Sequence, residues 1–169
     1  IQIKMGWTIL KSFIQDNNTL NVGGIIEGLD IFAVGDTIVK NNDTSIVYVV
    51  KNEDELNKIS KLLDELYPNI NYVNIPAWDC LPYDSLSPST RISGERINSF
   101  LKIMDTENPV RLIATTVNAL IQKNIPLKYY PNNISELTIG TEINLSFFVK
   151  NLIDAGYRRS GNVMDIGEI

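Results

Sequence analysis

Ser45-Ile46-Val47-Tyr48-Val49-Val50-Lys51-Asn52-Glu53-Asp54-Glu55-Leu56 is the stretch on which the fold turns. Its first half is β-branched and almost wholly apolar, the composition of a strand buried on both faces of a parallel sheet. Asn52 with Glu55 three residues on makes a capping box. Behind it Leu56, Ile59, Leu62, Leu63 and Leu66 keep the spacing of one helix face, which Pro68 closes. A strand that hands directly to a helix in this way opens a βαβ unit.

Working outward, the same alternation repeats. Asn71 to Ile75 reads as a second strand ended by Pro76, and a helix follows from about Arg91 to Met104 with Ile92, Ile97, Phe100, Leu101 and Met104 inward. Val110 to Thr115 is a third strand and Val117 to Lys123 a short helix. Upstream, Ile9, Leu10, Phe13 and Ile14 recur at helical spacing. Val22 to Gly28 is a strand-to-loop signal, and a helix is expected over Leu29 to Lys40. The prediction is an α/β fold, a parallel sheet flanked by helices and joined by right-handed crossovers. After Pro126 the pattern changes. Tyr129-Tyr130-Pro131-Asn132-Asn133 reads as a linker, which places one unit at residues 1–131 and the start of a small α+β unit at 132–169. In the second unit Asn144 caps a helix, Ile143 and Phe148 suit a hydrophobic staple, and Leu145, Phe148, Val149 and Leu152 form the apolar face. Gly156 sits where a left-handed C-cap belongs, and a strand is expected from Tyr157 to Met164.

Composition narrows the chemistry. Apolar residues make up 44% of the 169, enough for a core, and histidine is absent. That removes imidazole acid–base catalysis, Ser-His-Asp and Cys-His systems, and most zinc sites. The single Cys80 cannot form an internal disulfide or a Cys-x-x-Cys knuckle. A net charge of −5 argues against the whole surface acting as a DNA clamp. No apolar run reaches the roughly 18 to 20 residues of a membrane span, and the N-terminus has no signal-peptide pattern, so the expectation is a cytoplasmic protein.

Two segments hold positions where α/β proteins place sites. Glu27-Gly28-Leu29-Asp30-Ile31-Phe32 lies between a strand and a helix, as a phosphate-binding loop does. Such a loop needs Lys for the phosphates and Ser/Thr for magnesium. Ile31 and Phe32 stand there instead, and Asp30 repels phosphate, so a structural turn is expected and no cofactor. Ala77-Trp78-Asp79-Cys80-Leu81-Pro82-Tyr83-Asp84 follows a strand at the sheet edge. Asp79 and Asp84 are an acid–base or metal pair on one reading, and turn or capping groups beside packed Trp78 and Tyr83 on the other. Without His, a third carboxylate or a basic phosphate ligand, the second reading is favoured. Cys80 lacks a basic partner that would make it a reactive thiolate. Arg91, Arg96 and Lys102 on one helix, and Arg158-Arg159, read as small solvated basic spots.

Ile75 to Pro88, with its Trp78-Asp79-Cys80-Leu81-Pro82-Tyr83-Asp84 centre and Arg96 beyond, resembles the N-terminal domain of the bacterial transcription-repair coupling factor (Mfd) family. Thr115 to Gln122 resembles that domain's last strand and helix. Ala155-Gly156-Tyr157-Arg158 and Gly167-Glu168 resemble the domain after it. The resemblance implies a multidomain, ATP-dependent DNA translocase that displaces stalled RNA polymerase and recruits UvrA. Its N-terminal third would be a UvrB-like, helicase-like domain 1A that has lost its ATP site. UvrB-type proteins carry Lys and Thr where Ile31 and Phe32 stand, and Tyr83 to Arg91 is too short for UvrB's DNA-clamping hairpin. UvrA contact belongs in this family mainly to the complete second domain, with Arg158 and Arg159 the possible contacts within this chain. RNA polymerase and DNA would be engaged only through other parts of the parent protein. On this resemblance the chain is a non-catalytic scaffold and Trp78, Asp79, Leu81, Pro82, Tyr83, Asp84 and Arg96 are structural. The alternative is a nucleotide- or sugar-phosphate-binding α/β enzyme using Asp79 and Asp84.

Overall fold

A computed structural model describes residues 24, 26, 28–41, 45–81, 87–129 and 137–169. In chain order these form α1 (Leu29–Lys40), β1 (Ile46–Val50), α2 (Glu53–Leu66), β2 (Tyr72–Ile75), α3 (Thr90–Met104), β3 (Leu112–Thr116), α4 (Val117–Ile121), a 3₁₀ turn (Leu127–Tyr129) and α5 (Leu145–Asp154). The expected helix around Ile9 to Ile14, the strand before Gly28 and the boundary at Pro131 lie outside the described residues.

The three strands are parallel in the order β1-β3-β2, with Tyr48 and Asn74 both level with Ala114. The connection β1-α2-β2 passes over β3, and β2-α3-β3 returns. Right-handed crossovers therefore put α2 and α3 on opposite faces of the sheet. On the α1–α2 face Ile31, Ile38, Leu56, Ile59, Leu63, Leu112 and Ala114 form one buried cluster, joined at its margin by Ile46, Tyr48 and Tyr72.

Local chemistry sets the helix ends. Asn52 Oδ1 accepts from the Glu55 backbone N–H at 3.0 Å, and the Glu55 carboxylate accepts from Lys51 N–H at 3.0 Å. Glu53, Asp54 and Glu55 in the first turn of α2 complement its dipole. At its other end Tyr67 turns its ring over Gly35 of α1, where a Cβ would overlap it. The Tyr67 hydroxyl donates to Asp36 Oδ1 at 3.1 Å, and its ring meets Phe32 edge-on at 6.5 Å. Gly35 is thus a packing requirement inside a helix, where glycine otherwise costs about 1 kcal/mol relative to alanine.

Farther along the chain Asn144 Oδ1 caps α5 by accepting from Phe147 N–H at 3.1 Å. Gly156, at φ 100°, closes it as a Schellman motif: Tyr157 N–H donates to Leu152 O and Gly156 N–H to Ile153 O, both at 2.9 Å. The strand expected from Tyr157 to Met164 does not form. Only Arg158 bridges, in parallel, to Glu168, because Ser160 Oγ donates to Asn162 O at 2.8 Å and turns the chain after two residues. Ile166 and Gly167 then rest beside Gly94 and Thr90 of α3. No described helix is long and apolar enough to cross a membrane.

Candidate functional site

The C-terminal ends of the three parallel strands bring together the segments singled out by sequence, where open α/β sheets carry their sites. From β2 the chain leaves as Pro76-Ala77-Trp78-Asp79. From β3, Thr116 caps α4 by accepting from Ala119 N–H at 3.2 Å, and the chain runs on to Gln122, Lys123 and Asn124. Arg96 of α3 joins the two. Its side chain is 1% exposed, its guanidinium donates to Pro76 O and to Asn124 Oδ1, and it stacks over the Trp78 ring with Cζ 4.4 Å from the centroid.

Trp78 is held from the other side as well. Its backbone N–H donates to Gln122 Oε1 at 2.8 Å and its indole Nε1–H to Lys123 O at 3.3 Å. Ala77 N–H donates to Glu53 Oε1 at 2.9 Å, tying the loop to α2. The indole is half-buried.

Asp79 is exposed and accepts from Ser89 N–H at 3.0 Å. Ser89 in turn caps α3, its Oγ accepting from Ile92 N–H at 3.3 Å. The hydrogen bonds from Ser89, helped by nearby Arg91, hold the Asp79 carboxyl below the usual carboxylate range. A carboxylate fixed in its ionised form at a helix start is suited to capping and poorly suited to giving up a proton near neutral pH. Leu81 is exposed, Cys80 half-buried, and Pro82, Tyr83 and Asp84 lie outside the described residues. Among the described residues no three His, Cys, Asp or Glu side chains gather to hold a metal ion.

The basic spot expected on α3 does not exist as one face. Arg91 is exposed and paired with Glu95 at 2.7 Å, Lys102 is exposed, and Arg96 points into the protein. The expected inward Ile97 is 38% exposed, while Arg96 and Ser99 take the inward positions. Ser99 Oγ donates to Asn74 O at 2.6 Å. Since Arg111 N–H donates to Asn71 O across the sheet, residues 72, 74 and 76 present their carbonyls to the outer edge of β2. Arg96 and Ser99, one helical turn apart, therefore cap two of these edge carbonyls. Sequence reasoning missed the roles of Ser99, Gln122 and Asn124; for Ser99 the signal available was a polar residue one turn from Arg96 at the inward spacing of α3, and Gln122 and Asn124 carried none.

The loop before α1 carries different chemistry. Gly28 adopts φ 87° at the N-cap, with no side-chain capping bond. Ile31 is 0% exposed in the core, and Phe32 is packed on Tyr67. The Tyr48 hydroxyl donates to the Asp30 carboxylate, and burial, then this hydrogen bond, pushes the Tyr48 hydroxyl above the usual phenol range. Gly28, Asp30, Tyr48, Lys51, Glu55 and Lys58 contribute to a cleft of 740 Å³, whose wall carries Asp30, Glu55 and Glu65 against Lys51, Lys58 and Lys61. Glu27 lies outside the described residues, and Arg158 and Arg159 are exposed after α5, away from the Trp78 loop in sequence.

No family model matches the chain. It is 25% identical over 154 residues to the transcription-repair-coupling factor of Haemophilus influenzae, covering 91% of this chain and 13% of that protein. It is 26% identical over 133 residues to that of Rickettsia bellii, covering 79% and 12%, and 27% identical over 111 residues to that of Escherichia coli, covering 66% and 9%. The chain therefore spans between 9% and 13% of the length of these relatives. Seven curated relatives carry this one name. In sequence this chain is a relative of the transcription-repair-coupling factors, as its Trp78 segment anticipates.

Proposed function

We propose that the chain is a non-catalytic scaffold of a transcription-coupled DNA repair factor, built on a UvrB-like, helicase-like domain whose nucleotide loop is degenerate. The observation that carries this reading is the burial of Ile31. At the position where a phosphate-binding helix offers Lys, Ile31 is 0% exposed and belongs to the core. Asp30 beside it places a carboxylate at the helix start, where a phosphate would need cations and free backbone N–H groups. The Trp78 segment supports the same reading. Its polar groups are engaged in holding β2, β3, α2 and α3 together: the Trp78 N–H groups reach the chain after α4, Ala77 N–H reaches Glu53, and Asp79 reaches the cap of α3.

Recruitment of UvrA is proposed to need more of the second unit than α5 and the Arg158–Glu168 bridge, with Arg158 and Arg159 its nearest cations. RNA polymerase and DNA would be engaged by other parts of the longer protein, in the cytoplasm. The test is a single-turnover ATP hydrolysis assay with the chain in excess over nucleotide. No phosphate release above the uncatalysed background is expected. Hydrolysis that disappears in Asp79→Asn would replace the scaffold with an enzyme centred on the Trp78 loop.

A further inference from the structure

A strand at the edge of a sheet leaves one row of backbone groups unpaired, and that row is a template for another strand. Among the described residues β2 is such a strand, since the order β1-β3-β2 gives it a neighbour on one side only. Its outward row belongs to residues 72, 74 and 76. Ser99 closes the Asn74 carbonyl and Arg96 the Pro76 carbonyl, and Pro76 has no N–H to offer. Three groups remain open among the described residues: the N–H and C=O of Tyr72 and the N–H of Asn74. Tyr72, Asn74 and Pro76 line one cleft of 610 Å³, with α2 and α3 as its walls. Asn57 of α2 and Asn98 of α3 are exposed on those walls, and neither carboxamide has a partner among the described residues. Each offers a donor and an acceptor, the same pair that a peptide group presents.

We propose that this cleft docks an extended segment of a separate partner protein, laid antiparallel to β2 as an added strand. Antiparallel pairing centred on Tyr72 uses all three open groups. One partner residue exchanges both its hydrogen bonds with Tyr72, and the carbonyl two residues before it accepts from Asn74 N–H. Charge sets the direction. α3 runs back along β2, from Arg96 at Pro76 O to Ser99 at Asn74 O, so Lys102 stands toward the Tyr72 end. Its ammonium is exposed and has no partner among the described residues. At the Pro76 end Glu53 holds Ala77 N–H, and Glu95 matches Arg91, which leaves an acidic excess there. A segment with a basic residue on its N-terminal side and an acidic one on its C-terminal side meets opposite charges only when antiparallel. The shape disfavours a second copy as the occupant. Its own β2 edge is recessed between the same two helices, and two recessed edges do not approach to the roughly 4.8 Å of paired strands.

The test follows the backbone amide resonances of the 169-residue chain during titration with a capped heptapeptide. The peptide carries lysine near its N-terminal end, aspartate near its C-terminal end, and alternating threonine and valine between them. Saturable shifts of the Tyr72 and Asn74 amides are expected, with slowed hydrogen exchange at both. The peptide with lysine and aspartate interchanged is expected to bind about fivefold more weakly, because two exposed charge pairs become repulsive. Lys102→Glu, at an exposed position outside the core, is expected to erase that preference. Absence of saturable shifts at these two amides overturns the proposal. So do equal affinities for the two peptides, or a preference that Lys102→Glu leaves intact. Slow exchange of both amides in the free chain overturns it as well. Protection independent of concentration would give the edge to the chain's own residues, and protection that fades on dilution would give it to a second copy.

Discussion

Arg96 lies over the indole of Trp78, its guanidinium carbon 4.4 Å from the ring centroid, while the same guanidinium donates to Pro76 O and Asn124 Oδ1. A planar cation thus serves the end of β2, the chain after α4 and an aromatic face at once, which an ammonium group cannot do. Arg96→Lys is expected to cost about 2 kcal/mol or more in urea unfolding, since charged hydrogen bonds are lost and a carbonyl is left buried. Trp78→Ala is expected to cost about 2 to 3 kcal/mol, the lower part of the range for large aromatic truncations because the indole is only half-buried. Costs that simply add in the double variant would show that the stacking contributes nothing.

Gly35 and Tyr67 give a prediction of opposite sign to helix propensity. Alanine is the better helix former by about 1 kcal/mol, yet a Cβ at position 35 overlaps the Tyr67 ring. Gly35→Ala is expected to destabilise by about 1 to 3 kcal/mol, the cost of overpacking. In a Tyr67→Ser background the same change is expected to stabilise. Thermal melts of the four proteins check this, and a stabilising Gly35→Ala in the parent would show that the ring moves aside freely.

Much of this fold can be read from residues. The N-caps Asn52 and Asn144 and the left-handed Gly156 announce helix ends because each satisfies backbone groups locally. The β-branched runs of β1 and β3 mark strands of a parallel sheet, but β1 is buried on one face only: Val47 and Val49 are exposed, against the expectation of a strand buried on both. The order β1-β3-β2 cannot be read this way, since it is set by which helix covers which face. The Trp78 segment announces itself by composition, while the burial of Arg96 does not. An arginine flanked by Glu95 and Ile97 reads as solvated until Pro76 O and Asn124 are brought to it by the turn of the chain. The strand expected after Tyr157 fails because its apolar pattern says nothing of the Ser160–Asn162 hydrogen bond that turns the chain.

Stability is expected to fall on the alkaline side through tyrosines paired with carboxylates. Tyr67 and Tyr72 are both pushed up to about 12, first by burial and then by their hydrogen bonds to Asp36 and Asp64. A raised folded-state pKa gives stability that is complete below the unfolded value near 10 and is lost as the pH climbs toward 12. The urea midpoint should therefore decline across that window, and Tyr67→Phe with Tyr72→Phe should flatten the decline. An unchanged slope in the double variant would assign the alkaline loss to other groups.

UvrA binding is expected to be at least about a hundredfold weaker for this chain than for a full-length relative such as that of Haemophilus influenzae, a difference of about 2.7 kcal/mol. A specific interface needs roughly 800 Å² per partner with a few anchoring side chains, and the described residues from 137 on offer α5, a single β-bridge and three cations, Lys150, Arg158 and Arg159. Side-by-side titrations against UvrA check this. Equal affinities would place the interface within these 169 residues and make Arg158 and Arg159 the first side chains to replace.

The central claim is that the loop before α1 has been given over to packing, and calorimetric titration of the chain with ATP and magnesium tests it most directly. Ile31 is in the core and Asp30 is held by the Tyr48 hydroxyl, so neither position offers the cation that a phosphate-binding loop places there, and no saturable heat and no shift in melting temperature are expected. Micromolar, magnesium-dependent binding that is lost when Gly28 is replaced would contradict the account.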